Sequence, residues 1–379
     1  VIQPLYDDLE ANGGGTVSFT GGDFICNTHL QPRNGVFSVG EGWKTRIIGK
    51  ENCVFQFQGS ESEHLHDILI ANMRIDGGQL SQGKCIYCKW VDRLYVLFTY
   101  CHDCPGTGIG PDHIRDSIIA FNRVENVGSE NMNGIGIGGD SHRVWILFNN
   151  VNGVGKDGIL YEPIDYKWPG THFFVVGNRV KNAKTGCIVK GGVRWTIAHN
   201  LFEENDERGV FITYVENKDI TVADNLIHKN PYAGIRVDDG SEVIIKGNIL
   251  TENGETDEDA ILVKVKKVSI KDNLVMRNYG HGVHLYDAER CIVSGNIICD
   301  NGRRGAALHG IKVYDSLHVI ITDNHVYNED YPSGQSYGIV LSGDSDYIIV
   351  KNNDCVGNAS GGIVNNATGT NIKIENNFE

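Results

Sequence analysis

Proline is scarce: 8 residues stand against 47 glycines, and no Pro- or Ser-rich stretch or change of composition interrupts the 379-residue chain. A chain of this length exceeds one ordinary compact core, so without a linker it reads as one continuous fold that grows by stacking. Positive charge is also in deficit, with 34 Lys and Arg against 48 Asp and Glu and a formal charge of -14. Nucleic acid and anionic membranes are bound by clustered cations that displace counterions, so neither is an expected partner. No apolar run reaches the roughly 18 to 20 residues that span a bilayer, which excludes a transmembrane helix. The first residue is Val1 rather than Met, as expected where a signal peptide or tag has been removed. The acidic balance also suits a solvated extracellular protein, so the chain is expected to be secreted or at a cell surface.

Most of the ten cysteines sit inside strand-like apolar runs, such as CIVK around Cys187 and RCIVSG around Cys291, where buried free thiols are expected. Cys85, Cys88, Cys101 and Cys104 differ, because C-x2-C-x12-C-x2-C is a zinc-binding spacing in small domains. Zinc on these four is one expectation; stacked core thiols or a disulfide are the others.

What is abundant is a repeat. The phrase apolar-x-apolar-x-x-Asn-apolar recurs as IIAFNRV, WTIAHNLF, ITVADNLI, VIIKGNIL, VSIKDNLV, CIVSGNII and VIITDNHV. Its asparagines are read as Asn122, Asn150, Asn178, Asn200, Asn225, Asn248, Asn273, Asn296, Asn324, Asn353 and Asn377, with Tyr100 standing where an earlier coil should have one. A second phrase, Gly-apolar-x-apolar, begins at Gly134, Gly158, Gly209, Gly234, Gly282, Gly310 and Gly338. Its period of 2 marks a strand with one buried face. Three short strands and three bends per period cannot bury that face alone, but coils stacked at about 4.8 Å can. The pattern predicts an all-β, single-stranded right-handed parallel β-helix of about a dozen coils, over residues 21–379. Residues 1–20 would form a cap, with a short amphipathic helix over Ile2 to Ala11. Nothing similar follows Asn377, so the last coil is expected to meet more chain or a partner subunit.

The asparagine column, the Gly-apolar-x-apolar strands and the helix before GGGTVSF resemble the pectin-lyase-like β-helix superfamily across nearly the whole chain. The resemblance implies a polysaccharide partner and an enzyme: a lyase, hydrolase, esterase or C5-epimerase. Virion tailspikes and surface adhesins share the fold, which implies a monomer or a homotrimer. GIGPDHIRDS at Gly108 to Ser117 is similar to the Asp-Pro-His element of alginate epimerases, with Gly110 where that family has its aspartate. DEDAILVK at Asp257 to Lys264, GHGV at Gly280 to Val283 and GIKV at Gly310 to Val313 resemble elements of polygalacturonase-type hydrolases, with Ala233 where the first of that family's three carboxylates should stand.

Subtracting the stacking residues leaves the outward positions of the Gly-apolar-x-apolar strands. Arg236, Asp238, Asp259, Lys264, His281 and His284 come from successive coils and offer acid, base and cation together. Asp112, Asp140, Asp157, Glu162 and Asp165 concentrate carboxylates, suited either to glycosidic hydrolysis or to calcium. Lys190, Arg236, Tyr286 and Lys312 are candidate substrate contacts, and Tyr161, Tyr166 and Trp168 would wall the groove and stack on sugars. Hydrolysis by paired carboxylates, Asp238 with Asp259 or Asp112 with Glu162, is slightly favoured over a lyase or C5-epimerase using Lys190, Arg236, Lys264 or His284. A non-catalytic glycan-binding spike or adhesin is the remaining reading. GIGIGG at Gly134 to Gly139 is not a nucleotide loop, because its glycines lie inside a strand with no following helix.

Overall fold

The computed structural model describes residues 2–50, 52–129, 131–164, 169–214, 217–305 and 307–379. The chain divides into two compact units, Val1–Trp195 and Thr196–Glu379. Both are built from parallel coils of three strands, here called the first, second and third faces. In the N-terminal unit one coil runs Ile135–Gly138, His142–Leu147 and Asn150–Val154. Its strands pair in parallel with the next coil at Ile135↔Ile159, Val144↔Phe173 and Val151↔Val180. In the C-terminal unit Ile235–Val237, Ser241–Lys246 and Ile249–Thr251 pair at Ile235↔Ile261, Val243↔Val268 and Leu250↔Val275. Alternation sends Ile135, Ile137, Val144, Ile146 and Val151 inward, all at most 1% exposed.

The helix Gln3–Ala11 ends at Asn12 and covers the N-terminal coil, where buried Tyr6 places its hydroxyl 2.8 Å from Ser38 Oγ. Among the described residues no helix is long and apolar enough to cross a membrane. The glycine that opens each first-face strand is required by close approach. A Cβ on Gly134 would lie 2.4 Å from Val151 Cγ1, and one on Gly158 would lie 2.1 Å from Val180 Cγ1.

Coils are tied together at the bend between the second and third faces. One residue there adopts a left-handed conformation (Phe121 φ 58°, Phe148 φ 52°, Asp224 φ 54°) and the next is a buried amide. In the N-terminal unit the amide column is Asn122, Asn149 and Asn178, not Asn150. Because Phe148 makes the left-handed step, the buried place falls on the first of two consecutive asparagines. Thr99, not Tyr100, fills the same place one coil earlier: its N–H and hydroxyl both reach Asn122 Oδ1 at 2.9 Å. In the C-terminal unit the column runs from Asn200 through Asn225, Asn248, Asn273, Asn296, Asn324 and Asn353 to Asn377. A second column, absent from the sequence reading, joins Asn205, Asn230, Asn253, Asn278 and Asn301 to Gln335 and Asn358.

Asn149 Oδ1 accepts from the Asn122 backbone N–H and Nδ2, both at 3.0 Å, and Asn149 Nδ2 donates to the Ile119 carbonyl at 2.9 Å. Removing a buried amide leaves its partners unsatisfied at roughly 1–3 kcal/mol each. Urea unfolding should therefore show a loss of a few kcal/mol for Asn149→Ala and almost none for the exposed neighbour Asn150→Ala. Equal losses would refute the column register.

Candidate functional site

On the first face of the N-terminal unit, strand register places Lys89, Asp112, Gly138 and Glu162 in one outward column and Tyr87, Gly110, Gly136 and Leu160 in the next. Glycine at outward positions leaves the strands bare, and the result is an open recess of about 270 Å³. Gly136 and Gly138 form its floor, Lys84, Thr107 and Asp112 one wall, and Leu160, Glu162 and Ile164 the other. A Cβ on Gly138 would sit 2.1 Å from Asp112 Oδ1, so a larger residue there would displace that carboxylate.

The walls differ electrostatically. Burial raises the Asp112 pKa above the ordinary carboxylate range, against the opposing pull of Lys84, the Tyr87 hydroxyl and Lys89. Tyr87 is in turn pushed up to about 12, by burial first and then by Asp112. Lys84 Nζ lies 4.2 Å from the Tyr87 ring centroid, and among the described residues no carboxylate comes within ion-pair distance of it. On the other wall Glu162 Oε1 lies 2.8 Å from Nζ of the buried Lys190. Asp112 and Glu162 are two coils apart in register, a backbone separation of about 9–10 Å.

Other expected members of this region are placed differently. Tyr161 is 0% exposed; it packs against Phe173 and Trp195 and donates to the Gly139 carbonyl at 2.9 Å. It is a core residue rather than a groove wall, because it occupies the inward phase of its strand. Trp168, Tyr166 and Asp165 lie outside the described residues. Among the described residues these carboxylates do not gather into a calcium site: Asp140 turns to Arg115 and His142, and Asp157 is buried with burial raising its pKa. The four cysteines do not converge as a zinc site either. All ten are free and buried, and Cys85 contacts Cys101 and Cys104 in the core without Cys88.

In the C-terminal unit the first face carries Arg236, Leu262, His284 and Lys312 in one outward column and Tyr286 and Tyr314 in the next. Asp238 does not stand free, since both its oxygens are within 2.9 Å of Arg236 Nε. Arg236 also bonds Glu258, which Arg208 bonds as well. Burial opposes ionisation of Glu258, but the two guanidinium groups outweigh it and hold the carboxyl below its ordinary range.

Asp259 is 6% exposed and lies behind His284, not on the surface, so it cannot pair with Asp238 across a substrate. Its Oδ1 accepts the His281 backbone N–H at 2.7 Å and its Oδ2 is 2.8 Å from His284 Nδ1. Burial would raise its pKa, but these donors hold it down. As a carboxylate it can only accept, so His284 Nδ1 donates, and in the neutral ring Nε2 carries the lone pair. That Nε2 is buried and unpartnered. His281 Nδ1 accepts the His309 N–H at 2.9 Å, so its proton is on Nε2.

Asp259, His281 and His284 bring ligand atoms within 4.8 Å of one another, as do Asp76, His102 and Asp103. In the second set both His102 ring nitrogens are engaged, Nε2 by Arg74 Nε at 2.6 Å and Nδ1 by Asp103 at 2.8 Å; in the first, Asp259 and His281 Nδ1 are engaged while His284 Nε2 has no partner. Lys264 Nζ and Lys312 Nζ sit 5.3 and 5.8 Å from the Tyr286 and Tyr314 ring centroids, and those rings stack at 5.3 Å.

Lys84, Tyr87, Gly136, Gly138, Glu258 and His309 escaped the sequence reading. Tyr87 and Lys89 were within its reach, because the alternation at Ile109 repeats one period earlier in CIYCKW. That coil lacks the leading glycine phrase that marked the others.

The chain belongs to the right-handed β-helix family, whose model, "Right handed beta helix region", matches residues 129–263, 166–310 and 255–378. Among solved structures it is similar to the A-module of a mannuronan C-5 epimerase of Azotobacter vinelandii (15% identity, 100% of this chain and 93% of that one, TM-score 0.55). A periplasmic alginate epimerase is similar at 11% identity, 88% and 77% coverage and TM-score 0.58. A surface adhesin of Streptococcus pneumoniae matches at 11% identity, 98% and 88% coverage and TM-score 0.52. Likeness at these identities shows the fold. No curated protein matches the chain in sequence.

Two outcomes follow from the electrostatics. Burial lowers the His281 pKa to about 3, and burial with nearby Lys312 and His284 lowers that of His309 to about 4. Below pH about 6.5 the unfolded chain takes up protons that these folded sites refuse. Their contribution is therefore complete above that pH and is lost as pH falls toward 4, with a slope of roughly 1.4 kcal/mol per pH unit per proton. Unfolding curves at pH 7, 6 and 5 should be less steep in pH for His309→Gln; an unchanged slope would count against the half-buried neutral ring. Asp112 has the opposite sense: its raised pKa makes the ionised form a burden once pH rises past the ordinary aspartate range. Asp112→Asn should raise the urea midpoint at pH 7 and not at pH 3, whereas a lower midpoint at pH 7 would show that the charge stabilises the fold.

Proposed function

We propose that the chain acts on a carboxylated polysaccharide and moves a proton at the sugar carbon beside the carboxylate, as a C5-epimerase or lyase does. The observation that carries this reading is the glycine-floored recess, with a raised-pKa acid on one wall, an ion-paired carboxylate on the other and Lys84 without a carboxylate partner. Lys84 would neutralise the uronate carboxylate, which stabilises the anion formed when C5 loses its proton. Glu162 takes that proton from one side. Asp112, protonated, returns one from the other and so inverts the centre. The epimerases among the similar structures support this substrate class, and a polymer of that kind supports a site of action outside the cytoplasm. Hydrolysis is the second reading, favoured by the separation of Asp112 and Glu162, which approaches the roughly 6.5–9.5 Å of inverting carboxylate pairs.

Incubation with polymannuronate and polygalacturonate in D₂O, followed by proton NMR, separates the outcomes. Deuterium at C5 in an intact polymer marks epimerisation, and unsaturated ends mark elimination. Saturated reducing ends mark hydrolysis and would replace the leading reading. No change in any uronate polymer would overturn it. Glu162→Gln and Asp112→Asn should each lower turnover by about 100-fold or more. Gly136→Ala is a sharper probe, because its Cβ meets nothing nearer than 3.4 Å and the fold accepts it. The methyl nevertheless occupies the recess floor, so kcat/KM should fall roughly tenfold or more with an unchanged melting temperature. Full activity in Gly136→Ala would place the chemistry elsewhere.

A further inference from the structure

We infer a second binding site, a groove on the third face of the N-terminal unit that holds carboxylated sugar chains without reacting with them; its ligand class rests on the proposed function. Strand register sets Arg46, Arg74, Tyr100, Arg123, Asn150 and Arg179 in one outward column. Four guanidinium groups thus share one line on a chain whose formal charge is -14. The spacing of about 4.8 Å between coils is close to the advance of one sugar residue along an extended polymer.

Beside Arg123 the face opens into a cavity of about 370 Å³ lined by Arg123, Glu125, Arg179, Lys181 and the amides of Asn150, Asn152 and Asn182. Three cations against one carboxylate, with amides between them, suit carboxylates and hydroxyls, since guanidinium groups bind carboxylates in two-point fashion. Arg123 is held in place: its Cζ lies 4.9 Å from the Tyr100 ring centroid and its Nη2 is 2.7 Å from Glu125 Oε1. Its Nε, however, is a shielded donor with no partner in the protein. Trp43, 54% exposed, lies 5.2 Å from the Tyr100 ring centroid and offers a surface on which a sugar can stack. Among the described residues Glu125 is the one carboxylate that lines this cavity, and it is engaged by Arg123 and by the Tyr100 hydroxyl at 2.9 Å. A long polymer can occupy groove and recess together, a short oligomer only one of them.

The test compares electrophoretic retardation of the full chain in gels containing polyuronate with turnover of a uronate trimer. Arg123→Gln/Arg179→Gln should lose retardation at least tenfold and lose its salt sensitivity, with trimer turnover unchanged; Lys181→Gln should weaken retardation in the same direction. Gly136→Ala should do the reverse, keeping retardation while turnover falls. Retardation equal to wild type in both groove variants overturns the inference. Equal retardation of wild type by dextran sulfate or single-stranded DNA overturns the assignment to carboxylated sugars. Intact, groove-dependent retardation with no turnover of any uronate by the wild type leaves the groove standing and refutes the proposed function instead.

Discussion

The parallel stacking of each strand on its counterpart in the next coil is the constraint on which everything else depends. Buried asparagines enforce it at the bends, each accepting from the backbone and side chain of one neighbour and donating back into the stack. Register held this tightly turns a one-dimensional repeat into straight columns of side chains. An inward column must be apolar and close-packed, while an outward column is free to carry whatever a ligand requires. The recess is an extreme use of that freedom. Its floor is two glycines of one strand that is clamped by pairing on both sides, so omitting the side chains opens space without loosening the backbone.

The fold was legible because period and alternation are properties of the sequence itself. Spacing of the asparagines and of the Gly-apolar-x-apolar phrases led to the coil, and alternation led to the outward positions of Asp112, Glu162, Lys190, Arg236, His284 and Lys312. Where two asparagines adjoin, at Asn149 and Asn150, composition could not say which was buried; the left-handed residue before them decides. Tyr161 was misplaced in the groove because it adjoins an aromatic-rich insertion, although its phase in the strand points inward.

The site was less legible, because pairing depends on side-chain direction as well as on column. Asp238 and Asp259 look available in sequence, yet one is engaged by Arg236 and the other is enclosed behind His284. Their acidity is spent on protein partners. Asp112 keeps a raised pKa in a recess open to solvent, and that contrast is what sets the proposed acid apart from these two. The bare positions Gly136 and Gly138 were dismissed as a false nucleotide motif. A missing side chain has meaning only once its neighbours in three dimensions are known.

A crystal structure of the Glu162→Gln variant soaked with a uronate trimer tests the central claim most directly. A sugar ring seated over Gly136 and Gly138, with its carboxylate at Lys84 and C5 between Asp112 and residue 162, is the expected result. A trimer bound only at the Lys264, His284 and Lys312 face, or an empty recess beside an occupied third-face groove, would contradict it.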